Sequence, residues 1–194
     1  MNNGNYQIFT IGHSNHSIEA FVALLQQHGI TALVDVRSDP FSRFNPQFNK
    51  KELEQETKIC GIKYVFLGRE LGARPKDPSC YEGGQVQYRR LKDTASFKKG
   101  IERVIQGAKQ YTIALMCAEK NPLQCHRFLL IACALVKLDI PVTHILATGN
   151  LEPHEITMAR LPDPAESRQD DLFDSKEELI LSSQEKRVAH INRK

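Results

Sequence analysis

The stretch Thr112-Ile-Ala-Leu-Met-Cys-Ala-Glu-Lys-Asn-Pro-Leu-Gln-Cys-His-Arg127, followed by the apolar run Phe128-Leu-Leu-Ile-Ala-Cys-Ala-Leu-Val136, decides the fold of this chain. Its first five residues are typical of a buried β-strand, and its last nine are typical of a helix buried on all sides. Strand, loop and helix in this order predict one unit of an α/β fold, in which ligands bind beyond the carboxyl ends of the strands. We therefore expect the polar loop between the strand and the helix to be part of a site.

The alternation of strand and helix continues on both sides of this unit. Further strands are predicted at residues 6–11, 32–36, 63–67 and 142–146, and helices at residues 18–28, 50–60, 96–110 and 153–160. Residues 68–87 are polar and rich in glycine and proline, and they are predicted to form a long loop at the site. The pattern predicts an α/β fold in three layers, with a parallel-rich sheet and helices on both of its faces.

Length and composition indicate one domain followed by a tail. We place a single α/β domain at residues 1–160 and a flexible or peripheral polar tail at residues 161–194. The net charge of +3 on 194 residues permits contact with nucleic acid but does not argue for it. No apolar run reaches membrane-spanning length and no secretory signal is visible, so no membrane partner is expected. Five cysteines without a framework pattern favour a reduced, cytoplasmic setting.

Three predicted strands end in polar side chains at what should be one edge of the sheet. These side chains belong to His13, Ser14, Asp35, Arg37, Cys117 and Glu119. A shared cleft is expected there, with His13 and Glu119 as acid/base candidates and Arg37 as a clamp for phosphate or carboxylate. Asp35 would orient Arg37 or His13. The alternative is that Asp35 and Arg37 form a buried ion pair that braces the loops.

The start of the apolar helix adds an anion-binding corner. Cys125, His126 and Arg127 lie at its N-terminus, where free N–H groups and the helix dipole favour a negative ligand. His126 and Arg127 are therefore substrate-binding candidates. A thiol at such a position has a lowered pKa, so Cys125, or Cys117, is a candidate nucleophile. Alternatively, Cys125 is a small core residue on the stripe that it shares with Leu129 and Cys133.

The chain contains residues of the types that bind metals, but their spacing is not that of a familiar zinc site. Zinc could be held by side chains drawn from His13, Cys117, Cys125, His126 and His144. The chain has no Cys-x-x-Cys pair and no second matching half, so no metal is predicted. Neither a Walker loop nor a Gly-x-Gly-x-x-Gly turn is present, and no other cofactor is predicted.

The loop Ser38-Asp-Pro-Phe-Ser-Arg-Phe44 interleaves a basic residue with aromatic ones. Arg43 lies between Phe41 and Phe44, and Phe48 follows. Such a pattern suits stacking on nucleic-acid bases and holding phosphates. It suits equally well a set of aromatic side chains that pack as a lid over the domain's own core.

The order of these motifs resembles the family catalogued as domain of unknown function 488, over roughly residues 6–160. The matching pieces are Thr10-Ile-Gly-His-Ser14, Leu33-Val-Asp-Val-Arg37 with Pro40 and Ser42, Gly61-Ile-Lys-Tyr64, Leu67-Gly68, Leu71-Gly72, and Cys117-Ala-Glu119 through Pro122 to Cys125-His-Arg127. The resemblance implies a compact bacterial α/β domain and no established reaction. We add Ser42 to the substrate-binding candidates. The Asp-Val-Arg strand also resembles that of rhodanese-like domains, but the spacing of cysteine and arginine departs from theirs.

A short peptide in the tail points to a partner. Gln169-Asp-Asp-Leu-Phe173 resembles the motif by which bacterial DNA polymerases and repair proteins bind the sliding clamp. Asp170 stands where leucine is usual, which should weaken the binding. Alternatively, Leu172 and Phe173 anchor the tail on the domain.

Together these features predict an enzyme of DNA metabolism or repair that acts on a phosphate-bearing substrate, with nucleic acid and the sliding clamp as possible partners. Two other functions stay open: a non-catalytic module that binds a nucleotide or small anion, and a rhodanese-like small-molecule transferase.

Overall fold

A computed structural model describes residues 6–161 of the chain. The main sheet has six strands: β1 (Ile8–Gly12), β2 (Ala32–Asp35), β3 (Lys63–Phe66), β6 (Ile113–Cys117), β7 (Val142–Ile145) and β8 (Leu151–Pro153). Their order is β3-β2-β6-β1-β7-β8, and every neighbouring pair is parallel except β7 and β8. Two short strands, β4 (Tyr81–Glu82) and β5 (Gln85–Val86), form a separate antiparallel hairpin.

Helices cover the sheet and make two hydrophobic cores with it. They are α1 (Ile18–Gln27), α2 (Lys50–Ile59), α3 (Gly68–Leu71), α4 (Tyr88–Asp93), α5 (Ala95–Ala108), α6 (Cys133–Val136) and α7 (His154–Ala159). Alternate residues of one strand face opposite cores: Leu33 belongs to the core that contains Phe21 of α1, whereas Val34 belongs to the core that contains Phe97 of α5. The sheet is thus buried on both faces, which confirms the predicted three-layer α/β fold.

Several helix boundaries follow from ordinary capping chemistry. The Ser17 hydroxyl accepts a hydrogen bond from Ala20 N, so α1 begins where the sequence predicted it. Gly29 follows with a φ of +62°, which ends that helix. Thr94 caps α5 in the same way as Ser17, through the N–H of Phe97.

The differences from prediction are concentrated in short elements. Residues 68–87, predicted as a loop, contain α3, a 3₁₀ turn (Pro78–Cys80) and the β4–β5 hairpin. Helix α4 and the antiparallel edge strand β8 were not predicted either. Elements of two to six residues are too short for a hydrophobic period to be recognised. The apolar helix begins as a π-helical segment, Arg127–Ala132, that continues into α6.

The topology brings three strand ends together at one edge of the sheet. Strands β2, β6 and β1 are adjacent and parallel, so their carboxyl ends, at Asp35, Cys117 and Gly12, lie side by side. Within residues 6–161, no helix combines the length and the apolar character needed to cross a bilayer. The tail peptide with Gln169, Leu172 and Phe173 lies outside the described residues.

Candidate functional site

The loops after β1 and β6 run together at this edge. His13 N donates to Cys117 O at 2.9 Å, and Ser14 N donates to Ala118 O at 2.9 Å, so the two chains stay paired beyond the strands. A Cβ atom on Gly12 would lie 1.9 Å from the backbone oxygen of Glu119. The approach of the two loops therefore requires glycine at this position.

Arg37 and Asp35 form a buried, two-pronged ion pair. Arg37 Nε donates to Asp35 Oδ1 at 2.9 Å, and Nη2 donates to Oδ2 at 2.6 Å and to Phe48 O at 2.8 Å. The Tyr64 hydroxyl donates to Asp35 Oδ2 at 2.8 Å. Burial and the neighbouring Asp35 raise the pKa of Tyr64, so this hydroxyl keeps its proton. The ion-pair alternative from the sequence is thus present, and the Arg37 guanidinium is already engaged.

His13 is a neutral acceptor held between Arg37 and Phe48. Its Nδ1–H donates to Ser14 O at 2.9 Å, which leaves Nε2 to accept from Arg37 Nη1 at 3.3 Å. Its ring stacks on Phe48 with centroids 4.3 Å apart. Burial, followed by the charge of Arg37, lowers the pKa of His13 to about 4. His13 is therefore uncharged at neutral pH, and its Nε2 lone pair accepts from Arg37.

Cys117, Cys125 and His126 form a second group, which we call the thiol–imidazole cluster. One ligand-type atom of each residue lies within 4.8 Å of the other two. His126 Nδ1 is 3.6 Å from the Cys117 sulfur and 3.9 Å from the Cys125 sulfur. All three residues are buried. Two cysteines eight positions apart in sequence thus share one small polar pocket.

The loop between the two cysteines closes through a capped turn. Asn121 Oδ1 accepts from Leu123 N at 3.1 Å, and Pro122 begins a 3₁₀ turn, Pro122–Gln124. Cys125 is extended and His126 enters the helix, whose π-helical start is of a kind frequent at functional sites. This geometry turns the Cys125 side chain back toward the end of β6.

The orientation of the His126 ring is fixed by a backbone group. His126 Nε2 lies 3.1 Å from Val36 O, a carbonyl that can only accept, so Nε2 carries a proton. Nδ1 is then the atom that faces both sulfurs. Burial alone would lower the pKa of His126, but the hydrogen bond to Cys125 and its charge raise it.

The Cys125 thiol donates a hydrogen bond to the neighbouring Glu119. The Cys125 sulfur and Glu119 Oε2 are 2.9 Å apart. Burial favours the neutral thiol, but hydrogen bonding from Cys117 and the charge of Arg127 lower the pKa of Cys125 well below the usual range. The hydrogen bond to Cys125 and burial raise that of Cys117. Burial and then the charge of Cys125 raise the pKa of Glu119. The opposite shifts make Cys125 the more acidic of the two thiols.

Arg127 is buried beside this group and is not fully hydrogen-bonded. Nη1 donates to Glu119 O at 2.7 Å and Nη2 donates to Lys120 O at 3.4 Å. Among the described residues, Nε finds no hydrogen-bond partner, although the side chain is only 1% exposed. Arg127 both ties down the loop after β6 and keeps an unused donor.

The structure brings most of the predicted site residues together, but not all. His13, Asp35 and Arg37 form one group, and Cys117, Glu119, Cys125, His126 and Arg127 form the adjacent group. The Ser14 hydroxyl donates to Asn15, and the Ser42 hydroxyl accepts from Asn45 N within its own loop. These two serines lie at the periphery, and their predicted role in substrate binding stays a prediction.

Two contributors to this region were not among the predicted site residues. Tyr64 and Phe48 complete the surroundings of Asp35 and His13. His144, considered as a zinc ligand, instead pairs with His154, with His144 Nε2 and His154 Nδ1 3.2 Å apart. Tyr64 and Phe48 both had a sequence signal: Phe48 ends the aromatic loop after β2, and Tyr64 lies in the strand that pairs with β2.

The aromatic loop after β2 divides into buried and exposed residues. Phe48 is 0% exposed and belongs to the core beside α1 and α2. Phe41 is 61% exposed and Phe44 is 92% exposed. The lid interpretation therefore holds for Phe48 and fails for the other two, because most of the surface of each is exposed to solvent.

Comparison of the chain with known protein families finds one match. The family described as Domain of unknown function DUF488 matches residues 17–134. No curated protein and no solved structure matches the chain. The matched range contains most of the sheet edge described above, and it covers more than half of the 194 residues. The chain therefore belongs to the DUF488 family.

Proposed function

We propose that the protein is an enzyme of DNA metabolism or repair that acts on a phosphate-bearing nucleic-acid substrate at the carboxyl edge of β2, β6 and β1. The observation that carries this proposal is the exposure of Phe41 and Phe44 on the loop that starts at this edge. Exposed aromatic side chains beside a basic residue, here Arg43, are the combination by which proteins stack on nucleic-acid bases and hold phosphates.

The loop is fastened to the site at both of its ends. It leaves the sheet at Arg37 and returns at Phe48, whose carbonyl accepts from Arg37 and whose ring stacks on His13. Within the loop, Ser42 N donates to Asn49 Oδ1 at 2.7 Å. A base stacked on Phe41 or Phe44 would therefore lie on a loop that begins and ends at the sheet edge.

The groups at the edge divide into two roles. Arg37, Asp35 and His13 hold one another and act as positioning residues. Arg127 supplies buried positive charge and an unused N–H donor, which suits a phosphate oxygen. Glu119 lies beside it as an exposed residue whose carboxyl group is partly buried against Cys125, and it is the candidate for proton transfer.

Binding of a fluorescent single-stranded oligonucleotide, followed by anisotropy at low salt, tests the proposal. We expect Phe44→Ala to weaken binding about tenfold, because stacking contributes about 1–3 kcal/mol per base. The matched control is Ile59→Ala, which removes an apolar side chain that is 71% exposed at the end of α2. Equal affinities for the two variants, or no binding by the wild type, would overturn the proposal.

The catalytic part of the proposal needs its own readout. Long incubation of the oligonucleotide with wild type and with Glu119→Gln, followed by mass spectrometry of the nucleic acid, looks for a change that only the wild type makes. Binding without any change in the oligonucleotide would favour the non-catalytic binding module.

A further inference from the structure

We propose that the thiol–imidazole cluster is a zinc site, with Cys117, Cys125 and His126 as its three protein ligands and a fourth position open to water beside Glu119. This inference does not depend on the nucleic-acid proposal, because it rests on the donor atoms alone. It departs from the sequence-based expectation of no metal, which followed from the absence of a Cys-x-x-Cys pair.

The spacing of the donor atoms fits one tetrahedral ion. With Zn–S bonds of about 2.3 Å and Zn–N bonds of about 2.0 Å, a sulfur and a nitrogen on the same zinc lie about 3.5 Å apart. The two sulfur–nitrogen distances here are 3.6 Å and 3.9 Å. All three donor atoms lie within 4.8 Å of one another. Side-chain adjustments of a few tenths of an ångström would complete the geometry.

His126 has the surroundings that a metal-bound imidazole requires. A histidine ligand usually donates its other ring N–H to a carbonyl or carboxylate, which fixes the ring and its tautomer. Here Nε2 donates to Val36 O at 3.1 Å, and Nδ1 is left facing the two sulfurs. The backbone thus selects the nitrogen that can bind the ion.

The electrostatics of the pocket also favour a cation. Two thiolates are a costly combination in a buried site unless a metal compensates their charge. The backbone N–H of Arg127 donates to the Cys125 sulfur at 3.4 Å, an interaction that stabilises a bound thiolate. Two sulfurs and one imidazole are typical of zinc rather than of magnesium or calcium.

Glu119 is a neighbour of the proposed ion and not a fourth ligand. Its Oε2 lies 2.9 Å from the Cys125 sulfur, closer than two ligands of one tetrahedral zinc, for which about 3.6 Å is expected. The residue is exposed while the three ligands are buried. A carboxylate in this place can accept a proton from a zinc-bound water, which makes the proposed site catalytic in type.

Metal analysis of the full-length protein, purified without a histidine tag, tests this inference. We expect about one zinc ion per chain for the wild type, and loss of the zinc in Cys117→Ser, Cys125→Ser and His126→Gln. Cys60→Ser is the matched control, because Cys60 is a free, half-buried cysteine at the end of α2. Glu119→Gln should keep its zinc. Full loss of zinc in this last variant would overturn the three-ligand assignment.

A measurement on the wild type alone covers the case in which ligand variants fail to fold. Cobalt added to the zinc-free protein should give the intense absorption of a thiolate-bound, tetrahedral ion, and zinc should remove it. Iodoacetamide should label Cys125 slowly in the zinc-loaded protein and faster after a chelator. A wild type that takes up neither metal, a Cys117–Cys125 disulfide in the purified protein, or fast labelling of Cys125 with zinc present would each overturn the site.

The two proposals can fail separately. Oligonucleotide binding by Phe44→Ala tests the exposed loop, whereas metal content tests the buried cluster. Protein that binds one zinc per chain but no nucleic acid would refute only the proposed function.

Discussion

Arg127 is the largest of the fully buried side chains in residues 6–161, and its environment explains why it is arginine. Two of its nitrogens hold the carbonyls of Glu119 and Lys120, and the third has no hydrogen-bond partner among the described residues. A planar fork of donors can serve the loop and a ligand at once, which a lysine ammonium cannot do. The residue therefore fixes the shape of the loop after β6 and keeps one donor, Nε, unused.

We expect Arg127→Lys to reduce oligonucleotide affinity about tenfold, because the charge stays while the fork of donors is lost. The free energy of unfolding should change less than the binding free energy does. Anisotropy titrations and urea unfolding of the same preparations measure both quantities. A variant that unfolds readily while its folded fraction binds with wild-type affinity would identify Arg127 as a structural brace only.

His144 makes stability depend on pH. It is buried between Thr10 and His154, with His144 Nδ1 2.7 Å from the Thr10 hydroxyl. Burial, then the neighbouring His154 and the charge of Arg127, lowers its pKa from 6.5 to about 3, while Cys125 opposes this shift. Between these two pKa values the unfolded chain binds a proton on His144 and the folded protein does not. The contribution of His144 to the free energy of unfolding is therefore fully present above pH 6.5 and is lost as the pH falls toward 3.

Through His144 alone, the free energy of unfolding should fall by about 2 kcal/mol when the pH is lowered from 7 to 5. His144→Gln keeps a hydrogen-bonding side chain without the titration, so its loss over this interval should be smaller by about that amount. Urea unfolding at the two pH values provides the comparison. Parallel pH profiles for wild type and variant would show that His144 is not the responsible group.

At the scale of elements, the site depends on how closely the loop after β6 approaches the end of β1. Gly12 allows this approach, because any Cβ atom would overlap the Glu119 carbonyl. The overlap is with backbone, so only a movement of the whole loop can relieve it. That loop carries Glu119, and Arg127 is hydrogen-bonded to it.

Gly12→Ala should therefore lower the free energy of unfolding by about 2 kcal/mol or more. Gly107→Ala in α5 is the control, since its Cβ atom would meet only the flexible end of Ile113 at 3.1 Å. That second change should stay within about 1 kcal/mol of the wild type, because alanine also favours the helix. Urea unfolding measures both free energies. A Gly12→Ala variant as stable as the control would contradict the close approach of the loop after β6 to the end of β1.

The same elements show what the sequence could and could not predict. Long helices with a clear apolar stripe, such as α1 and α5, were predicted within two or three residues of their ends, as were the buried parallel strands. The π-helical start of the apolar helix was not predicted, because a run that is apolar on all sides carries no periodic signal. The hairpin of β4 and β5 was missed because its strands have only two residues each.

For the site, parallel topology was enough to predict that the strand ends converge, but not which side chains pair. The choice of Asp35 as the partner of Arg37, and of backbone carbonyls as the partners of Arg127, depends on rotamers and loop closure. The thiol–imidazole cluster was not predicted to be a metal site, for a related reason. Its ligands follow no familiar spacing, and only the folded loop brings Cys117 next to His126.

At the scale of the whole molecule, recruitment to DNA is a prediction that depends on the tail peptide. Residues 169–173 should bind the bacterial sliding clamp through Leu172 and Phe173, with micromolar affinity of roughly −7 to −8 kcal/mol. Replacing both by alanine should abolish binding in a calorimetric titration and leave the melting temperature nearly unchanged. If the peptide instead anchors the tail on the domain, the wild type will not bind the clamp and the double variant will melt earlier.

The central claim is that nucleic acid lies across the exposed loop and the carboxyl edge of the sheet, and photochemical crosslinking tests it most directly. A single-stranded oligonucleotide containing 5-iodouracil is bound at low salt, irradiated and digested, and the crosslinked peptides are mapped by mass spectrometry. Our account predicts crosslinks in the peptide that contains Phe41 and Phe44, lost in the Phe41→Ala, Phe44→Ala double variant and kept in Ile59→Ala. Crosslinks confined to other surfaces, or none at saturating protein, would contradict it.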